Sequence, residues 1–290
     1  MLEPIAMFRP SVVALAASTL VLSACQGREE APTAPAPAPA ETPTPVVAVG
    51  PAPTLDRAGL LQAMDVAASA FAAGKDPGGA SLAGRRFVVR QAFGCAGPTP
   101  TDAAPVSRTN EASGDGLAAW SWGARRQSLR LSLAPADWSE SPLLAGGADG
   151  WEAAEGFWLP RPWLRQDGCP GALAAPASND SEPDSLTGVA SPQTVGLAAV
   201  FDEGGSRLGR RNGRAYDFIV RGAGDQPPIA PNGGYRLVLE GRMAAFADGR
   251  AIKCRADSPD QRPVCIGAVQ LDRVAFEDAA GQMLSEWRPS

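Results

Sequence analysis

Tyr235-Arg236-Leu237-Val238-Leu239-Glu240, followed by Asp248-Gly249, is the stretch that decides the fold. Tyr235, Leu237 and Leu239 recur at every second position, the period of a strand whose side chains alternate between two faces. An Asp-Gly pair then supplies the left-handed backbone of a hairpin turn, so the strand is expected to end near residue 248. The same period extends outward. Residues 264–277 read as another long strand, Gly281 as a turn, and the stretch up to Trp287 as a closing strand. Upstream, Tyr216, Phe218 and Val220 share a face, and residues 195–201 form a strand that runs into the turn Asp202-Glu203-Gly204-Gly205. Leu129, Leu131 and Leu133 alternate with Arg130 and Ser132, Trp120 pairs with Trp122, and Phe87, Val89 and Phe93 share one more face. About eight to ten strands punctuated by turns predict a mainly β fold, a β-sandwich or a partly open barrel. One segment departs from this period. Leu60, Leu61, Met64, Ala68 and Phe71 recur at steps of three and four, with Thr54 at the N-cap and Gly74 past the end. They predict one packed N-terminal helix whose apolar stripe faces the core.

The 290 residues suit one large or two small domains, and a hydrophobic fraction of 44% supports a real core. Histidine is absent, which excludes Ser-His-Asp triads, Cys-His dyads and histidine-ligated metals. A net charge of −5 argues against a general nucleic-acid binder, which needs clustered excess positive charge.

The front of the chain reads differently. Residues 11–22 are apolar and uncharged, follow Arg9, and are too short to span a membrane, which takes about 20 residues; they suit a signal-peptide core. Leu22-Ser23-Ala24-Cys25 comes next and resembles the lipobox of bacterial lipoprotein signal peptides at all four positions. The resemblance implies that residues 1–24 are removed and that Cys25 carries diacylglycerol, with a further fatty acid such as palmitate on its amino group. It also implies a cell-envelope protein held to a membrane by lipid. Gln26, where Asp would retain the protein at the inner membrane in enterobacterial sorting, points to the outer membrane facing the periplasm. Residues 31–53 hold eight prolines, mostly alternating with alanine, so residues 25–53 read as an extended tether without a core. Residues 54–290 are then the mainly-β periplasmic domain, with a long polar loop near 172–191 where it could be subdivided.

An exported chain sits where disulfides persist. Cys254 and Cys265 flank a polar loop between two expected antiparallel strands, and Cys95 and Cys169 then pair by elimination.

Chemistry is harder to find. No Gly-x-Ser-x-Gly occurs, and no serine stands three residues before Lys75 or Lys253. Gly222-Ala223-Gly224 begins like a dinucleotide loop but meets Pro227 where a helix should run. Asp180, Glu182 and Asp184 lack the glycine and the closing glutamate of a calcium loop. No catalytic residue, metal ligand or cofactor is therefore assigned.

Six of seven tryptophans fall within residues 120–163, and the segment Phe157-Trp158-Leu159-Pro160-Arg161-Pro162-Trp163 looks unlike a central strand. Large aromatics usually fill cores. The functional alternative is an exposed platform of Trp120, Trp122, Trp158, Arg161 and Trp163 that stacks on a glycan or a protein partner. Glu152, Glu155 and Asp167 lie nearby, and a pair of carboxylates is the route to glycan hydrolysis open to a histidine-free chain. Arg207, Arg210, Arg211 and Arg214 cluster around Asn212-Gly213. They read as a solvated hairpin tip or, functionally, as a contact for an anionic glycan or lipid headgroup. The sequence thus predicts a non-catalytic, lipid-anchored binder of a glycan or protein partner. The alternatives are a carboxylate-based hydrolase and a purely structural or assembly lipoprotein.

Overall fold

The computed structural model describes residues 52–99, 114–144, 151–163, 165–170, 194–224 and 226–289. The expected signal peptide, Cys25, nearly all of the tether and the 172–191 loop lie outside them. Among the described residues the order is α1 (Arg57–Ala72), β1 (Arg86–Phe93), β2 (Ala118–Trp122), β3 (Ser128–Leu133), β4 (Ala136–Asp137), β5 (Trp151–Pro160), β6 (Thr194–Asp202), β7 (Tyr216–Arg221), β8 (Tyr235–Met243), β9 (Ile252–Arg255), β10 (Val264–Asp278) and β11 (Met283–Trp287). The described residues are mainly β, with two sheets and one α-helix, and among them no closed barrel forms. This fits a sandwich.

Strand β10 is the axis of the larger sheet, ordered β1-β8-β10-β6-β5-β4. Asp248-Gly249 does not make the expected hairpin. Instead β8 pairs with residues 269–278 of β10 and β9 pairs with residues 264–267, both antiparallel and end to end along one side. Residues 245–250 form a local excursion between them, closed by the Phe246 N–H on the Arg250 carbonyl at 2.8 Å, with Gly249 at φ 79°. The true hairpin tip lies between Cys254 and Cys265, which stand directly opposite each other and are disulfide-bonded. Cys95 and Cys169 form the second disulfide, so the bonds join the cysteines that the sequence pairs.

The N-cap of α1 is Asp56 rather than Thr54. Its carboxylate accepts the Gly59 N–H at 2.7 Å, while Leu55 is drawn into a bridge with Phe87 and shortens the helix by two residues. Leu60, Leu61 and Met64 are buried, and a Cβ on Gly267 would lie 2.7 Å from Met64 Cε, so glycine in β10 lets the helix approach closely. The main core lies between the larger sheet on one side and α1 and the three-stranded sheet β2-β3-β7 on the other. Tyr216 on Trp287 and Trp120 on Tyr235 join the two sheets edge to face.

The aromatic platform is not assembled. Trp120 is buried in the main core, whereas Trp158 is buried in a second core on the opposite face of the larger sheet, with Trp138 and Trp151. Trp122 is half-buried and packs on the main core, and Trp163 alone of the five is an exposed large apolar side chain, at 49%. The Trp138 ring lies so close to β5 and β6 that a Cβ on Gly156 would sit 2.0 Å from it and one on Gly196 2.6 Å. The segment that looked unlike a strand is the end of β5, an interior strand between β4 and β6. Pro160 is tolerated there because it is the last residue of the strand.

Candidate functional site

The sheet splits beside the middle of β10. On the side away from β8, parallel pairing with β6 covers Ile266 to Val269, and antiparallel pairing with β11 begins only at Val274. Residues 270–273 have no strand neighbour on that side among the described residues, and a bulge at Asp272 bends β10 at the same place. Two adjoining recesses open there, of about 540 and 320 Å³, sharing the wall Leu208, Gly209, Leu271, Arg288 and Pro289.

The β6–β7 connection, residues 203–215, borders both recesses. It is tied to β5 by two glutamates. Glu155, buried, accepts the backbone N–H of Arg211 (2.8 and 3.1 Å) and of Asn212 (2.8 Å). Glu152 binds Arg207 at 2.8 Å and Arg210 at 2.7 Å. Residues three apart on a strand normally face opposite ways. Here the β5–β6 register shifts between Trp151 and Ala153, and the bulge brings both carboxylates to the same loop. Asn212 (φ 52°) and Gly213 (φ 76°) give the loop the left-handed turn that presents successive N–H groups to Glu155.

Electrostatics separate the two glutamates. Burial pushes the Glu155 carboxyl above its usual range, outweighing the N–H bonds from Asn212 and Arg211. Burial also acts on Glu152, but its bonds to Arg207 and Arg210 prevail and hold it below that range. Tyr216 is pushed up to about 12 by burial, opposed by Arg211 and helped by Glu155.

The smaller recess is lined by Arg207, Arg210, Arg211, Arg214, Arg273 and Arg288. Four of these have carboxylate partners: Arg207 and Arg210 on Glu152, Arg273 on Glu240 and Glu286, and Arg288 on Glu286. Arg211 and Arg214 have no ion pair among the described residues. The Arg211 guanidinium donates to the carbonyls of Arg214 (3.1 Å) and Ala215 (2.7 Å) and stacks over the Tyr216 ring at 4.4 Å. Arg214 Nε donates to the Arg211 carbonyl at 3.3 Å. Arg210 Nε is buried without a partner among the described residues. Two positioned guanidinium forks with donors to spare are what recognition of an anionic group requires.

No family model matches the chain, and no curated protein or solved structure is significantly similar to it. The site is therefore judged on its own geometry.

Of the sequence candidates, the arginine cluster comes together as a recess rather than a bare tip. Arg161 is half-buried and left-handed (φ 53°), and its carbonyl meets Arg57 Nη2 at 3.5 Å. Of the carboxylates considered for hydrolysis, Glu155 lines the larger recess, Glu152 lines neither recess, and both hold the arginine loop. Asp167 acts on Arg57, favouring its charged form against burial. Sequence reading missed Arg273 and Arg288, which arrive from distant positions. The period of β10 is a signal for Arg273 alone; Arg288 follows β11.

Proposed function

We propose that the protein is a lipid-anchored cell-envelope binding protein that holds an anionic glycan in the arginine recess without transforming it. The observation that carries this reading is the pair Arg211 and Arg214: positioned guanidinium groups without carboxylate partners among the described residues, in a recess lined by six arginines, on a chain of net charge −5. The anchor rests on the lipobox resemblance at Cys25, and Gln26 after it supports the outer membrane facing the periplasm as the site. Two lipid-linked chains anchor stably where one does so only marginally.

The test is calorimetric titration of the full chain in neutral detergent with glucuronate and glucose 6-phosphate, glucose serving as the neutral control. An acidic sugar should bind, more weakly as salt rises. Each charge-assisted hydrogen bond is worth about 1.5–3 kcal/mol. R211A/R214A should therefore weaken binding at least about tenfold, the equivalent of about 1.4 kcal/mol. Failure of both acidic sugars to bind, or a variant that binds as tightly as wild type, overturns the reading. For the anchor, labelled palmitate should enter the wild-type chain and not C25S. A wild-type chain that takes no label and keeps residues 1–24 removes it.

A further inference from the structure

The two recesses differ in charge, and the difference specifies the ligand. The smaller is lined by six arginines and no carboxylate. The larger contains Glu155, Asp202 and Asp272, with Arg288 on the shared wall as its single cation. No ion pair joins Asp202 or Asp272 to any of the six arginines among the described residues, and the Asp272 contact to Arg242 is long, at 3.9 Å. Glu155 is already occupied by N–H donors.

A molecule that fills both recesses must therefore put all its negative charge at one end. Its other end must carry no anion and must present hydrogen-bond donors, which sugar hydroxyls supply, because a carboxylate only accepts hydrogen bonds. Between the ends lies the shared wall, where Leu208, Leu271 and Pro289 offer, beside Arg288, an apolar surface suited to the carbon face of a sugar ring. Leu208 is 56% exposed on an otherwise polar loop. At the charged end, two guanidinium groups without a carboxylate partner among the described residues match an anion of charge near −2 with three acceptor oxygens better than a single carboxylate.

From this arrangement, and resting on the anionic-glycan reading above, we infer that the ligand is a sugar phosphomonoester. Its phosphate lies against Arg211 and Arg214, and its unphosphorylated hydroxyls face Asp202 and Asp272. A second phosphate on the sugar would be driven against those carboxylates, so the site selects one anionic group per sugar.

Titration of the full chain with three probes tests this: glucose 6-phosphate, glucuronate (a similar ring with one negative charge) and glucose 1,6-bisphosphate. Glucose 6-phosphate should bind at least about tenfold more tightly than glucuronate. The bisphosphate should bind more weakly than glucose 6-phosphate, and D202N/D272N should remove that penalty. Asp202 is exposed, so D202N alone serves if the double variant folds poorly. Glucuronate binding as tightly as glucose 6-phosphate overturns the phosphomonoester assignment and leaves the anionic-glycan reading standing. Tighter binding of the bisphosphate by the wild type overturns the placement of the sugar body. Binding of neither glucose 6-phosphate nor glucuronate overturns both readings.

Discussion

Replacing Trp158 by alanine is expected to lower the unfolding free energy by about 3 kcal/mol and to leave sugar binding unchanged in the folded protein. Trp158 is 3% exposed, and its ring centroid lies 4.5 Å from that of Trp138. Truncating a buried aromatic to alanine costs about 3–5 kcal/mol, and losing the ring pair adds about 0.5–1.5 kcal/mol. An opposing contribution exists. Trp158 Nε1 is buried with no acceptor among the described residues, and removing such a donor returns about 1–3 kcal/mol. The balance is near 3 kcal/mol, a large fraction of the about 5–15 kcal/mol typical of a domain. W158F keeps most of the ring and removes the unpaired donor, so it should stay within about 1 kcal/mol of wild type. Urea unfolding followed by fluorescence and circular dichroism measures both. If W158A unfolds within about 1 kcal/mol of wild type while affinity for an acidic sugar falls, Trp158 belongs to a binding surface and its assignment to the core is wrong.

Three further outcomes follow from named contacts. Because burial raises the folded-state value of Glu155, its contribution to stability is fully present below the ordinary carboxyl range, about 4.3, and is lost as pH rises through the raised value. In E155Q, chemical denaturation across pH 4–8 should show that part of the slope gone (about pH 4.3 upward); an unchanged slope refutes it. Converting Cys95 and Cys169 to serine opens a loop with separation 74 and should cost about 4–5 kcal/mol, against about 3 kcal/mol for Cys254 and Cys265 at separation 11. The reverse order in thermal unfolding would contradict the loop-closure argument. D56A should cost about 1 kcal/mol by removing the cap on the Gly59 N–H, while T54A should cost nothing measurable.

The strands were legible where one face is buried and the other wet. Leu129, Leu131 and Leu133 alternate in sequence and are buried in the structure, as are Tyr235, Leu237 and Leu239. Strand β5 was not legible, because both its faces are covered: Phe157 enters the main core and Trp158 the second one, which erases the period of two. Asp248-Gly249 announced a turn correctly, but turn chemistry is local. Whether the next strand folds back on β8 or resumes alongside β10 depends on register with a strand that comes later in the chain. The candidate site was half legible for the same reason. Arg207 to Arg214 stood out as a cluster, yet what makes them a recess is the gap between β6 and β11 and the anchoring by Glu152 and Glu155 from more than fifty positions upstream. The tryptophans mislead through density alone: five of the six in one region belong to two cores on opposite faces of a sheet, and Trp163 is exposed.

The most direct test of the anionic site is an arginine side-chain nitrogen–proton NMR spectrum of the full chain in neutral detergent during titration with glucose 6-phosphate. The Arg211 and Arg214 resonances, assigned by single substitutions, should shift together and saturate. Arg130, already paired with Asp217 at 2.8 Å on the smaller sheet, should not move. Shifts spread evenly over the arginines, or none at Arg211 and Arg214, would contradict the account.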